Sequence, residues 1–321
     1  MQVSKNKRNS FSWHRLRADV WKNRGIYLLM ILPVIWYAIF CYGPMGGLTL
    51  AFKKYSARIG MGLWGSPFIG LKNFETVFRD KGFLKSVLLT LKINFTELIV
   101  VFPFPILIAL LLNEFRSKHY RKIIQTVITF PHFLSWVIVG SIIKNLLALR
   151  GPVDVLIQAL GGRSTFILGE KSWFLPLIYA TVNWKGAGWA SIIYLAAISS
   201  IDQNQYEAAE IDGASRFQRM IYVTLPSILP TIAIKLVLDI GGMMDGHFDQ
   251  IFNLRNDIVA SAGQTLSIFV YDVTFRRMPN YGYSTAIGLI SSIVNCVLLI
   301  TGNTIVKRLG GFGIMGEGRK I

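Results

Sequence analysis

Six stretches of the chain stay predominantly apolar for about the 20 residues that an α-helix needs to cross a bilayer. They cover residues 26–45, 86–112, 123–147, 173–199, 227–246 and 281–306, and each predicts a membrane-spanning helix. The second and fourth exceed a perpendicular crossing, so tilt or a protruding helical end is expected. The fifth is the weakest pattern, because Lys235, Asp239 and Asp245 interrupt it. Ahead of the first run, Trp13, Leu16 and Val20 fall near one helical face, with Arg15, Arg17 and Lys22 mostly elsewhere. That pattern predicts a short helix lying along the membrane surface, with a disordered tail as the alternative. The fold class expected is an all-α membrane protein with six transmembrane helices.

Composition strengthens this picture. The 321 residues are 52% hydrophobic and 16% charged, against about 25% charged in soluble domains, and the mean hydropathy is +0.46. Cys41 and Cys296 both lie inside apolar runs, which excludes a disulfide framework or a zinc site. A net charge of +17 invites a nucleic-acid reading. The basic residues are spread over the loops between spans, however, where anionic lipid is the fitting partner.

Lys5, Lys7, Arg8, Arg15, Arg17, Lys22 and Arg24 precede the first span against Asp19 alone, which places that end in the cytoplasm. The long basic region, with no small-residue cleavage site after the apolar run, argues against a signal peptide. Six crossings return the C-terminus to the cytoplasm, where Lys307, Arg308, Arg319 and Lys320 lie. The chain divides into a cytoplasmic segment (1–25), a six-span body (26–306) and a short tail (307–321). The first outer loop is itself basic, with Lys53, Lys54, Arg58, Lys72, Arg79, Lys81 and Lys85. Those residues either attract an anionic substrate or acidic partner or meet lipid headgroups.

The most informative polar stretch is 202–226, between the fourth and fifth spans. Asp202 can cap a short helix, residues 205–212 favour helix, and Gly213 is suited to end it in a left-handed conformation. Phe217 and Met220 mark a second amphipathic turn, and Pro226 opens the fifth span. Ala208 and Ala209 let a partner approach the backbone closely, and Glu207 offers a carboxylate for a partner's arginine. On residue chemistry alone the stretch is a connector or a docking element.

Glu207-Ala208-Ala209, Gly213 four residues on, then Val223 and Leu225-Pro226, resembles the EAA loop of binding-protein-dependent ABC importer permeases. Val223 stands where that family usually has isoleucine. The run 207–214, with Phe217 and Leu225-Pro226, and the stretch 68–74 ahead of span two, resemble the carbohydrate branch, including oligosaccharide and alginate importers. The resemblance implies the type I importer (MetI-like) permease fold, with 202–226 as a cytoplasmic coupling helix and loop. Glu207, Ala208, Ala209, Asp212, Gly213, Phe217, Leu225 and Pro226 then couple to the ATPase. It also implies a second homologous permease, two ATPase subunits that bind ATP and magnesium, an external solute-binding protein, and a bacterial inner-membrane location. This chain itself would have no cofactor and no ATPase site. Residues 169–172 lack the Gly-Lys pair and earlier glycine of a phosphate-binding loop.

Ionisable residues at membrane depth default to functional candidates. Here they are Lys92, Glu97, Lys144, Lys185, Lys235, Asp239 and Asp245, with His132 and His247 near span ends. Lys235 and Asp239 are spaced to pair on one helix. Trp184-Lys185-Gly186-Ala187-Gly188-Trp189 offers indole faces, a cation and close backbone approach; the alternative is helix packing with a lysine–carboxylate pair. By the resemblance, the substrate path covers Lys185, Gly186 and Trp189 on span four and Asp239, Gly242, Met243 and Gly246 on span five. Lys185 and Asp239 depart from the neutral residues expected there, and a lysine suits a sugar acid. An alginate-like acidic oligosaccharide is the expected substrate. The competing reading is an ion-coupled secondary sugar transporter that uses the intramembrane charges as a proton relay.

Overall fold

The computed structural model of the chain describes residues 21–55, 62–276 and 280–310. The surface helix expected around Trp13, Leu16 and Val20 lies outside the described residues, as do Arg58 and the tail residues Arg319 and Lys320. Among the described residues the secondary structure is helical, apart from one isolated antiparallel bridge between Lys53 and Phe68.

In chain order the elements are α1 (Arg24–Phe52), α2 (Lys72–Arg79), α3 (Lys81–Asn113), α4 (Lys118–Phe133) and α5 (Trp136–Leu146). They continue with α6 (Pro152–Ala159), α7 (Lys171–Ser199), α8 (Gln203–Ile211), α9 (Arg216–Gly241), α10 (Phe248–Leu254), α11 (Leu266–Tyr271) and α12 (Tyr281–Gly310). Four of them, α1, α3, α9 and α12, are long and apolar enough to cross a membrane. The pair α4 and α5 makes a fifth if it counts as one crossing. The fourth expected span is a 29-residue helix, α7. At 1.5 Å per residue that is ample length, but Asn183, Trp184, Lys185 and Gly186 dilute its apolar run.

The third expected span, 123–147, is not straight. α4 and α5 meet at 97°. Pro131 sits in the last turn of α4, Leu134 is extended, and the Ser135 hydroxyl accepts from the Ile138 amide to start α5 afresh. The fifth also departs from expectation. Its helix stops at Gly241, and residues 242–247 form an irregular turn into α10. Adjacent glycines at 241 and 242, followed by Asp245 and Gly246, supply little helix propensity to carry it further.

The packing is that of a protein with an apolar exterior. No residue of Arg24–Tyr37 is buried, and Leu29 and Leu32 are more than 75% exposed. Three buried clusters hold the helices together. Ala51, Phe83, Phe269 and Ile287 tie the end of α1 to α3, α11 and α12. Ile93, Ile178 and Ile251 join α3, α7 and α10. Leu112, Tyr194 and Ile228 join α3, α7 and α9. Small residues mark the closest helix crossings, as is common between helices in lipid. A Cβ at Gly188 of α7 would lie 2.1 Å from the Ile128 carbonyl oxygen of α4. One at Gly302 of α12 would lie 3.0 Å from the Ile240 side chain of α9.

Two carboxylates fix the polar connections. Asp154 of α6 is buried and accepts from the Arg150 amide (2.9 Å), the Ser164 hydroxyl, the Gln158 side chain and the Thr165 amide. The Arg150 amide foremost among these donors holds its carboxyl below the usual range. Asp272, just after α11, takes both guanidinium nitrogens of Arg255 at 3.1 and 3.3 Å and the Gln264 amide at 3.2 Å. Burial alone would raise its pKa, but these donors outweigh burial and keep it low.

Candidate functional site

A cavity of about 370 Å³ opens between α3, α7, α9 and the 242–247 turn. That volume lies within the range of small-molecule sites. Each wall follows from local sequence. α7 contributes Gly186, Ala187 and Ala190, whose small side chains leave the space open. A Cβ at Gly186 would meet nothing within 4 Å. α3 contributes Asn94, Glu97 and Phe102, and α9 contributes Lys235 and Asp239, which pair one turn apart as the spacing predicts. Those two side chains are each 32% exposed, so their link to each other is open to water.

The 242–247 turn closes the cavity at one end. Irregular backbone leaves polar groups that need partners, and three helices grip this turn. From α3, Asn94 donates to the Asp245 carbonyl oxygen at 3.2 Å, and Glu97 Oε2 lies 2.8 Å from His247 Nε2. From α12, Asn295 accepts from the Met244 amide at 2.9 Å. From the α11 side, the Thr265 and Ser267 hydroxyls donate to the Gly246 carbonyl oxygen at 3.2 and 3.0 Å. His247 itself is left-handed, with φ of +41°. Such strain in a non-glycine residue persists only where its surroundings over-determine it.

Of the residues expected along a substrate path, Gly186, Asp239 and Gly242 share this cavity. Met243 is buried within the turn, and Gly246 is pressed against Ser267, whose hydroxyl would be 2.8 Å from an added Cβ. Lys185 and Trp189 face elsewhere. The Lys185 ammonium donates to the His132 carbonyl oxygen at 2.7 Å and lies 5.4 Å from the Trp136 ring centre. Trp189 stacks on the His132 ring, 4.5 Å between centres and 3° from parallel, with Phe133 edge-on. Both therefore brace the α4–α5 elbow, where the bend leaves a backbone carbonyl needing a donor. Asn94 and the Glu97–His247 link are cavity features that the path expectation missed. Glu97, His247 and Asp245 carried one available signal, an ionisable side chain inside or at the end of an apolar run; Asn94 carried none.

At the far end of α7, α8 forms a separate exposed feature. The Asp202 side chain accepts from the Asn204 amide at 3.0 Å, and Gly213 ends the element at φ +80°, so both caps are as the sequence predicts. Two contacts tether it: Tyr206 to Thr224 at 2.9 Å, and Glu210 to Arg219 at 2.8 Å. α8 buries no residue. Glu207, Ala208 and Asp212 are exposed and Ala209 is half-buried, while Ile211 and Phe217 are 87% and 65% exposed. Leu225 and Pro226 lie in the first part of α9, beyond this surface.

Comparison with known proteins adds the following. Residues 101–311 match the family model for binding-protein-dependent transport system inner membrane components. The chain is 38% identical over 300 residues to protein LplB of Bacillus subtilis, covering 93% of this chain and 92% of that one. It is 36% identical to the polygalacturonan/rhamnogalacturonan transport system permease protein YteP of the same organism, covering 94% and 93%. It also superposes, at a TM-score of 0.83 and 34% identity, on a chain from the crystal structure of a bacterial ABC transporter involved in the import of the acidic polysaccharide alginate. That match covers 92% of this chain and 99% of the other. A second structure of a bacterial alginate ABC transporter, in complex with an alginate pentasaccharide-bound periplasmic protein, matches at the same TM-score.

Proposed function

The chain belongs to the binding-protein-dependent transport system inner membrane components, and on that premise we propose how its cavity and its exposed helix serve transport. It is a sugar ABC importer permease of the inner membrane, with an all-helical MetI-like fold. The single observation that carries the reading is the superposition on the alginate transporter chain along nearly the whole of both.

In our reading α1, α3, the bent α4–α5 pair, α7, α9 and α12 make six crossings, with both termini in the cytoplasm. The α8 end of the bundle is then cytoplasmic. Its exposed Glu207, Ala208, Ile211 and Phe217 dock into a groove on a partner ATPase, one of two that bind ATP and magnesium. This chain performs no hydrolysis. A second, homologous permease completes the path, and an external solute-binding protein delivers the sugar. Nucleotide-driven closure of the ATPases biases the permease pair between two arrangements.

The substrate we propose is an acidic oligosaccharide, since the chain is similar in sequence to a polygalacturonan/rhamnogalacturonan permease and in fold to a chain of an alginate importer. Lys235 and His247 supply donors in the cavity, and Glu97, Asp239, Asp245 and the Asn94 amide oxygen supply acceptors for ring hydroxyls. Lys235 is the cavity cation best placed to meet a sugar carboxylate.

The test is purification from the native membrane in mild detergent, with mass spectrometry of what accompanies the chain. An ATPase and a second permease should co-purify, and Glu207→Lys should lose the ATPase while the helices stay folded. Uptake that continues without any nucleotide-binding partner and collapses with an ionophore would overturn the reading in favour of ion-coupled transport.

A further inference from the structure

At the α8 end of the bundle, the connector 114–117 and the start of α4 face the end of α7 and the starts of α8 and α9. They enclose an open cleft of about 700 Å³. Arg116, Lys118, Arg121, Arg216 and Arg219 line it, with Glu114 as the one acidic residue in the lining. Arg219 is already paired with Glu210 at 2.8 Å. Arg116, Lys118, Arg121 and Arg216 form no ion pair among the described residues. Like charges gathered in one concave surface repel and focus a positive field there, which an anion would relieve.

An apolar stripe on α4 begins beside these cations. Tyr120, Ile123, Val127 and Phe130 follow helical spacing and are between 46% and 65% exposed. The stripe runs from the cleft up a helix that we place in the membrane, where no soluble anion or soluble protein would cover it. A molecule with a phosphate at one end and long apolar chains at the other fits both surfaces together, and basic clefts between membrane helices take such headgroups.

We propose that the cleft binds the phosphate headgroup of an anionic phospholipid, whose acyl chains lie along the α4 stripe. Placing that lipid in the inner leaflet rests on the orientation given above. The lipid would fix the 114–117 connector against the starts of α8 and α9, beside the helix proposed to meet the ATPase.

The experiment uses the assembled importer in neutral detergent, with thermal unfolding followed as lipid is added at constant ionic strength. Dioleoylphosphatidylglycerol should raise the midpoint, whereas dioleoylphosphatidylcholine and inorganic phosphate should not. At about fivefold per cation, the triple variant Arg116→Gln, Lys118→Gln, Arg121→Gln should need on the order of 100-fold more phosphatidylglycerol for the same shift. A control variant at the opposite end, Lys54→Gln, Lys72→Gln, Lys81→Gln, should respond like the native chain. If the triple variant does not fold, Arg121→Gln alone should show about a fivefold change.

An unchanged response in the cleft variants, or an equal loss in the control, would overturn the proposal. So would a shift with inorganic phosphate equal to that with the lipid, which would make this a soluble-anion site. Loss of the ATPase from the triple variant with its lipid response intact would instead assign the cleft to the protein partner. None of these readouts uses transport, so failure here leaves the permease reading standing.

Discussion

Gly186 and Gly188 lie two residues apart on α7, and the same substitution should act on them with opposite sign. A methyl group at Gly188 would sit 2.1 Å from the Ile128 carbonyl oxygen, 2.5 Å from its carbon and 2.9 Å from the Thr129 amide nitrogen. All three are backbone atoms of α4, so no side chain can turn aside. Ordinary contact begins near 3.4 Å, so the two helices must separate by about 1 Å. That movement also loosens the Lys185 bond to His132 and the Trp189 stack, which lie on the same side. Overpacking of this kind costs about 1–3 kcal/mol, and rigid neighbours put it at the upper end. Replacing glycine by alanine inside a helix returns about 1 kcal/mol, leaving a net loss of about 2 kcal/mol. At Gly186 an added methyl meets nothing within 4 Å, so the propensity gain of about 1 kcal/mol stands alone. The two alanine variants should therefore differ by about 3 kcal/mol. Unfolding in mixed micelles of dodecyl maltoside and sodium dodecyl sulfate, followed by tryptophan fluorescence, measures that difference. Equal stability of the two, or greater stability of Gly188→Ala, would refute the packing argument.

Three further expectations follow from the ion pairs and the elbow. Asp272 has its pKa lowered in the folded chain. Its stabilising contribution is thus complete above the unfolded value of about 4 and drains away as pH falls through the lower folded value. Asp272→Asn should lose about 3 kcal/mol at neutral pH, since Arg255 is left largely buried without its partner, and should lack that acid-side dependence in melting curves from pH 3 to 7. His247→Ala should cost about 2 kcal/mol, because Glu97 Oε1 already lacks a partner and Oε2 would lose its own; His247→Gln should recover part of this in the same unfolding assay. Lys185→Met should lower uptake of acidic and neutral sugars by the same factor, because it removes a donor from the elbow. A loss confined to the acidic sugar in paired uptake assays would put Lys185 back in the substrate path.

Most of the long helices and the two caps of α8 were legible in the sequence because their signals are local. A continuous apolar run reports a long apolar helix whatever it packs against, and α1 illustrates this with no buried residue from Arg24 to Tyr37. Asp202 and Gly213 acted as caps because capping depends on the immediate backbone alone. The pairing of Lys235 with Asp239 is likewise a matter of one helical turn. The 97° elbow was not legible, although Pro131 and Ser135 stand in plain view. Proline permits a bend in a membrane helix without fixing its angle, which depends on what satisfies the freed backbone groups.

By itself the sequence determined where the long apolar runs lie, the polar connector between the fourth and fifth, and the charges that interrupt those runs. Which of those charges share a cavity was decided by tertiary structure. Lys185 and Gly186 are adjacent in sequence, yet one reaches the His132 carbonyl and the other borders the cavity. Glu97 and His247 are 150 residues apart and meet at 2.8 Å. Successive residues on a helix point about 100° apart, so neighbouring side chains enter different surroundings. Only the packing of α3, α4 and α9 around α7 settles which surroundings those are.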